Sequence, residues 1–232
     1  MANGQQDLWV VGTDGSGGRQ LTNDAAIDRR PRWSPDDKRL MFDSTRGDGS
    51  YQVWTIAPDG GALTQVTNIP GLVIGAVWSP DGTRAAAYMP LVSKALLFDP
   101  RLPAAQQKVE ELPPFAGGLF QTTSWSPDGA RIAGDRPGSG IVVYSIAAQT
   151  YQEVAPTGNS PIWLPDSRRL LYHIGGNLMV ANSVTKVSKQ VYSAPGESFA
   201  GLGLSPDACE IYAVIVNPQA DIVLAKLTGG AK

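Results

Sequence analysis

The sequence predicts an all-β chain built from repeated four-stranded antiparallel sheets, and three observations support this prediction. A W-S-P-D motif recurs along the chain, and short apolar segments separated by turn residues follow each copy. Glycine and proline are abundant, at 26 and 18 of 232 residues. A chain that turns this often favours many short strands over a helical bundle. Copies of one unit at a nearly constant period indicate a repeat architecture.

The copies of the motif lie at the period of a propeller blade. Their prolines are Pro35, Pro80, Pro127, Pro165 and Pro206, at intervals of 45, 47, 38 and 41 residues. The first three copies have the sequence W-S-P-D-D or W-S-P-D-G, and the last two are the weaker W-L-P-D-S and L-S-P-D-A. Proline presets φ, aspartate bonds to the following backbone and glycine accepts a positive φ, so each copy predicts a tight turn.

Each repeat predicts four strands, which we call A to D in chain order. Strand A ends in the motif, and strands B and C are short apolar runs on either side of a variable loop. In the first full repeat, strands B and C are Leu40–Phe42 and Val53–Ile56. These runs are too short for helices, are rich in β-branched or aromatic residues and are bounded by turn signals, as strands are.

The predicted organisation is a single propeller domain over residues 1–232. Its repeats cover about 24–68, 69–118, 119–157, 158–196 and 197–232, with additional N-terminal strands in 7–23. The segments supply 21 strands, close to the 20 of five closed blades and short of the 24 of six. Five blades are favoured because all five A strands are complete and an open sheet edge invites aggregation. The alternative is an incomplete fragment of a six-bladed propeller.

Composition and charge narrow the function classes. The formal net charge is −2, so the chain has no overall basic field for nucleic acid or anionic membranes. No apolar run approaches the roughly 18 residues of a membrane span. One cysteine, Cys209, and one histidine, His173, exclude an internal disulfide and a multi-histidine metal site. We expect no cofactor, no metal, no nucleic-acid partner, no membrane insertion and no catalytic residues, since phosphate-loop and nucleophile-elbow motifs are absent.

Two segments of the chain resemble a known family. The sequence FDSTRGDGSYQVWTIAPDGGALTQVTN, Phe42 to Asn68, is similar to a repeat of the TolB-type, WD-like β-propellers, and LWVVGTDGSGGRQLTN, Leu8 to Asn23, is similar to the second half of one. The resemblance covers essentially the whole chain and is strongest in the first two full repeats. It implies a bacterial propeller that engages proteins or peptides at one face and at its channel. It also implies a periplasmic or other extracytoplasmic location, with the cytoplasm as the alternative because the first residues lack a signal-peptide pattern.

The candidate binding residues lie in the variable D–A and B–C loops, which strand alternation places on one face. Arg29, Arg30 and Arg32 directly precede the first motif. Three arginines in four residues can clamp a carboxylate, a phosphate or an acidic peptide terminus. The alternative is a solvated basic loop that nearby aspartates balance: Asp24, Asp28 and Asp48.

Two further candidates are Tyr51 and His173. Tyr51 lies in the first B–C loop, where an exposed aromatic ring is expected. His173 ends strand B of the fourth repeat, where the preceding repeats have Asp43, Tyr88 and Asp135. At the rim of the channel it would bind ligand, whereas the alternative is a loop histidine that is hydrogen-bonded within the protein.

Other conspicuous residues predict structure rather than a site. The recurrent tryptophans of strands A and C are expected in the blade cores: Trp9, Trp33, Trp54, Trp78, Trp125 and Trp163. The tripeptide Arg46-Gly47-Asp48 resembles an integrin-binding signal, but it is expected to be an ordinary glycine turn.

These observations predict a non-catalytic binding or scaffold module that recognises protein or peptide on the D–A/B–C loop face and channel mouth. The alternatives are an accessory or catalytic propeller of a hydrolase or lyase, and a sensor propeller excised from a larger bacterial protein. A monomer is expected if the ring closes.

Overall fold

A computed structural model describes residues 6–12, 14–136, 138, 140–205 and 210–216. The chain divides into two compact units, Met1–Thr122 and Thr123–Lys232, which are described in turn. Cys209 and the last predicted strand C, Asp221–Leu227, lie outside the described residues.

The first unit contains two four-stranded sheets and a two-stranded one, all antiparallel. Strands β1 and β2 pair with each other, β3 to β6 form blade 1 in sequence order, and β7 to β10 form blade 2. A single turn of 3-10 helix, Ala104–Gln106, lies in the long connection between β9 and β10. The strand bounds are β1 Trp9–Val10, β2 Arg19–Gln20, β3 Asp28–Trp33, β4 Leu40–Ser44, β5 Gln52–Ile56, β6 Thr64–Gln65, β7 Ile74–Trp78, β8 Ala85–Met89, β9 Lys94–Phe98 and β10 Glu110–Glu111.

The second unit repeats this construction. Strands β11 to β14 form blade 3, β15 to β18 form blade 4, and β19 pairs with β20. The bounds are β11 Gln121–Trp125, β12 Arg131–Arg136, β13 Gly140–Ser145, β14 Thr150–Ala155, β15 Asn159–Trp163, β16 Arg169–Ile174, β17 Asn177–Asn182, β18 Ser188–Ser193, β19 Ser198–Leu204 and β20 Ile211–Val216. The prediction of an all-β chain of four-stranded antiparallel blades is therefore confirmed. The 20 strands of the described residues equal the number in five blades.

Strand B of blade 1 and strand B of blade 4 are buried on both faces because sheets of the same unit pack on either side of each. All five residues of β4 are buried. Leu40 and Phe42 face a core that includes Leu8 beside β1, whereas Met41 faces the core shared with blade 2. In the second unit, Leu170 packs into the core shared with blade 3, and Leu171 packs into the core with β19 and β20. Alternation along one strand thus joins three successive sheets.

The serine and aspartate of the W-S-P-D motif close each turn. The hydroxyl of Ser34 donates to Oδ1 of Asp36 at 2.6 Å and accepts the N–H of Arg39 at 3.0 Å. The same pair of bonds recurs in the turns of blades 2 and 3. In the fourth copy, leucine replaces the serine, and Asp166 accepts two backbone N–H groups directly. The turn that the motif predicts is therefore built by side chains as well as by proline.

A bulge interrupts strand A of several blades and links neighbouring sheets. The register shifts between Arg29 and Arg32 in β3 and between Ile74 and Val77 in β7. Arg30 and Gly75, which occupy the same position of the two bulges, have φ of 55° and 68°. A bulge re-aims the backbone locally, and the N–H of Gly75 points at Asp43 of the preceding blade.

The tryptophans only partly follow the expectation of core positions. Trp125 and Trp163 are buried and Trp78 is half-buried, but Trp33 is 46% exposed and Trp9 is 61% exposed. Trp78 borders the turn of the preceding blade and donates its indole N–H to the carbonyl of Arg32 at 3.1 Å. Trp33 ends β3, the first strand of blade 1, and within the unit only β1 and β2 precede that blade. The core prediction is therefore wrong for Trp33 and Trp9.

Substitution of Gly75 tests how tightly the bulge is packed. A Cβ at Gly75 would lie 2.3 Å from Cε1 of the buried Tyr88, whereas a Cβ at Gly47, which has φ of 95°, would meet no atom within 4 Å. Both alanine variants carry the cost of a positive φ, roughly 1 kcal/mol. Only Gly75→Ala must also displace the Tyr88 ring, which we expect to add about 1–3 kcal/mol.

The measurement is the free energy of unfolding in urea for Gly75→Ala and its control, Gly47→Ala. Equal losses of stability in the two variants would contradict the close packing of the bulge against Tyr88.

Candidate functional site

Arg30 and Asp43 form the centre of the candidate site. Nη1 of Arg30 lies 3.2 Å from Oδ2 of Asp43, and the Arg30 side chain remains 46% exposed while that of Asp43 is 1% exposed. The pair joins β3 to the adjacent β4, in which Asp43 is the register partner of Arg29. One edge of the Arg30 guanidinium is thus held by a buried carboxylate while much of the side chain faces solvent.

The Asp43 carboxylate is buried and shared between two blades. Its oxygens accept the N–H of Gly75 at 3.1 and 3.2 Å in addition to the bond from Arg30. Burial raises the pKa of Asp43 to about 6, and the Gly75 N–H and the guanidinium groups of Arg30 and Arg29 oppose that rise. Asp43 is therefore the counter-charge of this part of β3.

Arg29 and Tyr51, which the sequence predicted separately, are in contact. The guanidinium carbon of Arg29 lies 3.7 Å from the centre of the Tyr51 ring. Such a cation–π contact contributes about 0.5–2 kcal/mol and fixes the plane of the guanidinium. Nε of Arg29 is buried and has no hydrogen-bond partner among the described residues. The stacked ring therefore orients an arginine that retains unused hydrogen-bonding capacity.

Arg32 is the least engaged of the three arginines. Its backbone carbonyl accepts the Trp78 indole N–H, and its side chain is exposed, with no hydrogen bond or ion pair within the described residues. Neighbouring protein atoms partly desolvate the exposed guanidinium and lower its pKa, while Asp43 opposes this shift and the like charge of Arg30 reinforces it. Arg30 and Arg32 therefore interact electrostatically with each other and with one shared carboxylate.

Arg46 fixes the loop that carries Tyr51. Its Nη1 and Nη2 bond to the two oxygens of the buried Asp28 at 2.5 and 2.7 Å, and Nη2 also lies 2.8 Å from Asp24. These bonds tie the B–C loop to the start of β3. Asp24 and Asp28 therefore pair with Arg46 rather than with the three arginines. The guanidinium of the Arg46-Gly47-Asp48 tripeptide is committed to this structural clamp, with its side chain only 10% exposed.

We call Arg29, Arg30 and Arg32 the arginine cluster. It carries three positive charges, and among the described residues Asp43 is the one carboxylate bonded to it. Planar guanidinium groups in a partly desolvated setting are suited to binding carboxylates or phosphates through paired hydrogen bonds. The sequence interpretation did not assign Asp43, Asp28 or Arg46 to the site. The available signal was the aspartate that ends strand B in both the first and third repeats, Asp43 and Asp135.

His173 lies in the second unit and is therefore described apart from the arginine cluster. Its side chain is 5% exposed, and neither ring nitrogen has a hydrogen-bond partner within the described segments. The imidazole meets the ring of Phe199 edge-on, with centroids 6.2 Å apart. Burial lowers the pKa of His173 and the backbone of Gly175 partly opposes this shift, so the neutral ring is favoured.

A groove lies at the opposite end of the first unit, beside the W-S-P-D turns. It encloses about 470 Å³ and is lined by residues of the turns of blades 1 and 2, including Asp36, Asp81 and Trp78. Both carboxylates already accept hydrogen bonds within their own turns. The two acidic groups of this groove are therefore already engaged by their own turns.

Searches for two other kinds of site give negative results over the described segments. No three histidine, cysteine, aspartate or glutamate residues there form a group that could hold a metal ion. No helix in the same segments is long and apolar enough to cross a membrane.

Comparison with known proteins confirms the resemblance that the sequence indicated. The family model of the TolB β-propeller domain matches residues 1–98. No protein of curated function matches the chain.

Solved structures share the fold at low sequence identity. TolB from Acinetobacter baumannii aligns over 92% of this chain with a TM-score of 0.71 and 16% identity, and the chain spans 57% of that protein. A protein described as TolB from Agrobacterium tumefaciens aligns over 89% of this chain and 75% of its own, with a TM-score of 0.69 and 16% identity. An oligogalacturonate lyase in complex with manganese aligns over 94% of this chain and 69% of its own, with a TM-score of 0.62 and 16% identity. At this identity the likenesses show the fold alone.

Replacement of His173 by phenylalanine is expected to make the protein more resistant to acid. The folded protein disfavours the protonated imidazole, whereas the unfolded chain binds a proton near the ordinary histidine pKa of about 6.5. The stabilisation that comes from burying the neutral imidazole is therefore present at high pH and is lost as the pH falls below about 6.5. The phenylalanine variant has no such proton to bind.

The measurement is the difference in melting temperature between His173→Phe and the wild type at pH 8 and pH 5. The melting temperature of the variant, relative to that of the wild type, should be a few degrees higher at pH 5 than at pH 8. A stability difference of about 1 kcal/mol corresponds to about 2–4 °C for a protein of this size. A difference that is the same at both pH values would show that His173 is not the group that titrates.

Proposed function

Because its first 98 residues carry repeats of the TolB β-propeller type, we propose that the chain is a non-catalytic binding module that recognises an acidic protein or peptide segment at the arginine cluster. The observation that carries the proposal is the imbalance of charge at this site. Three arginines share one bonded carboxylate, Asp43, and the Arg32 side chain has no ion pair within the described residues. By the same family resemblance, we place this role in the bacterial periplasm.

The geometry favours carboxylate groups as the recognised chemistry. Tyr51 holds the plane of Arg29, and Asp43 holds one edge of Arg30. Side chains that are already oriented lose less entropy when a ligand binds. A guanidinium held in this way presents its remaining N–H groups as a fork that matches a carboxylate.

An apolar feature at the same end of the strands favours a protein or peptide over a small anion. The B–C connection of blade 2 exposes Leu91 and Val92, which are 76% and 54% accessible. It occupies the same position in its blade as the loop that carries Tyr51, and β7 of blade 2 donates the Gly75 N–H to Asp43 of blade 1. A peptide can contact both the cationic and the apolar features, whereas an inorganic ion uses only the first.

The burial of two titratable side chains, His173 and Asp43, supports a non-catalytic role. The His173 imidazole is buried against Phe199, and the Asp43 carboxylate is occupied by Gly75 and Arg30. A general base must instead reach the proton that it abstracts. The structural likeness to a lyase concerns the fold, and no feature of the site favours catalysis over binding.

Removal of the cluster should weaken the binding of an acidic peptide. We choose Arg30→Gly combined with Arg32→Gln, because glycine accepts the φ of 55° and occurs naturally at the equivalent position of blade 2, Gly75. The probe is rhodamine-labelled hexa-aspartate, and its neutral counterpart is hexa-asparagine. Charge-assisted hydrogen bonds contribute about 1.5–3 kcal/mol each, so the loss should be about tenfold or more.

Fluorescence anisotropy at low and moderate salt provides the measurement. Lys38→Gln with Arg39→Gln is the matched control, because it removes two exposed positive charges at the opposite end of blade 1. Equal weakening in both double variants would indicate nonspecific attraction and contradict the proposed site. A probe with an amidated C-terminus separates recognition of side-chain carboxylates from recognition of a chain terminus.

A further inference from the structure

We propose that Asp43 is a built-in competitor for the arginine cluster, whose negative charge limits the affinity of the site for its acidic ligand. This inference rests on the proposed function and adds a regulatory element to the same site. In the free protein, Asp43 holds one edge of Arg30, and the ligand must bind the remaining edge in its presence.

The competition follows from how Arg30 is shared. Oδ2 of Asp43 lies 3.2 Å from Nη1 of Arg30, and 46% of the Arg30 side chain stays accessible to a ligand. A carboxylate that binds the open edge therefore places a second negative charge on the same guanidinium as Asp43. Like charges disfavour each other at such a separation, most strongly where burial keeps water away.

Within the described segments, the groups that shift the pKa of Asp43 or share its charge are three arginines and one backbone N–H. Arg29, Arg30 and Arg32 come from β3, and all three interact electrostatically with Asp43. From blade 2, the N–H of Gly75 bonds to the carboxylate, and the ring of Tyr88 packs against Gly75. The charge that changes at this point is therefore that of Asp43.

The direction of the pH effect follows from burial. Since burial raises the pKa of Asp43 to about 6, the carboxylate is ionised at pH 7.5 and largely protonated at pH 5. Hexa-aspartate, with side-chain pKa values of about 3.9, remains ionised over this range. Affinity for this probe should therefore rise as the pH falls through about 6, because the competing charge is neutralised while the ligand keeps its own.

The chain offers a matched control for Asp43. Asp135 occupies the equivalent position at the end of strand B in blade 3 and accepts the N–H of Ser160 from the next blade at 2.7 Å. It is buried like Asp43, and burial also raises its pKa, but no arginine contributes to that shift. Asp43→Asn and Asp135→Asn therefore make the same change to the same kind of contact between blades. The arginine cluster acts on the first of these positions and not on the second.

The experiment measures binding of hexa-aspartate by wild type, Asp43→Asn and Asp135→Asn between pH 5 and pH 7.5. At pH 7.5 we expect Asp43→Asn to bind about fivefold more tightly than the wild type, at the lower end of typical coupling between sites. The wild type should approach this affinity at pH 5, Asp43→Asn should change little with pH, and Asp135→Asn should follow the wild type. Asparagine keeps an oxygen that can accept the Gly75 N–H.

Several outcomes separate this inference from the proposed function. If binding depends on Arg30 and Arg32 but is unaffected by Asp43→Asn and by pH, the competitor role is overturned and the binding role stands. If hexa-aspartate does not bind at any pH, the proposed function itself fails. If Asp43→Asn does not fold, the pH series of the wild type still decides, because constant affinity from pH 7.5 to 5 contradicts competition.

Discussion

At two junctions between neighbouring blades, a bulge in strand A donates a hydrogen bond to the buried aspartate that ends the preceding strand B. Asp43 accepts the N–H of Gly75, and Asp135 accepts the N–H of Ser160. Gly75 and Ser160 both have a positive φ, which turns the N–H out of its own sheet. Where strand B ends in Tyr88 instead, the equivalent residue of the next blade, Thr122, has no positive φ. In these three cases the positive φ follows a strand B that ends in aspartate and is missing after the one that ends in tyrosine.

The same bond explains why a charge is buried beside the candidate site. An unpaired buried N–H costs about 1–3 kcal/mol, which favours keeping an acceptor at Asp43 and at Asp135. Asp135 performs this role although no arginine contributes to the shift of its pKa. The link between blades therefore does not require the arginine cluster at Asp43. The blade contact at Asp135 needs no arginine, so the three arginines at Asp43 are an excess of charge that the fold does not require, and the proposed ligand recognition would account for it.

The periodic features were predictable from sequence because they are local. Proline, aspartate and serine of each motif act within six residues, as the bonds of Ser34 to Asp36 and Arg39 show. The site was less predictable because its partners are distant along the chain. Asp43 meets Gly75 from the next repeat, and Arg29 meets Tyr51 across a loop whose path depends on the Arg46 clamp. The exposure of Trp33 likewise depends on which sheet precedes its blade, which the motif does not encode.

The backbone at Arg30 ties the architecture of the blade to the candidate site. A positive φ costs a residue with a side chain about 1–2 kcal/mol, and glycine at the equivalent Gly75 avoids that cost. Strained residues of this kind cluster at functional sites, where the surrounding structure holds them in place. At Arg30 the conformation places the guanidinium against Asp43 at 3.2 Å while much of its side chain remains open to solvent. Elsewhere the bulge contributes to the contact between blades, whereas in blade 1 it positions the guanidinium of Arg30. Blade 1 is also the blade that contains the other two arginines and the stacked tyrosine.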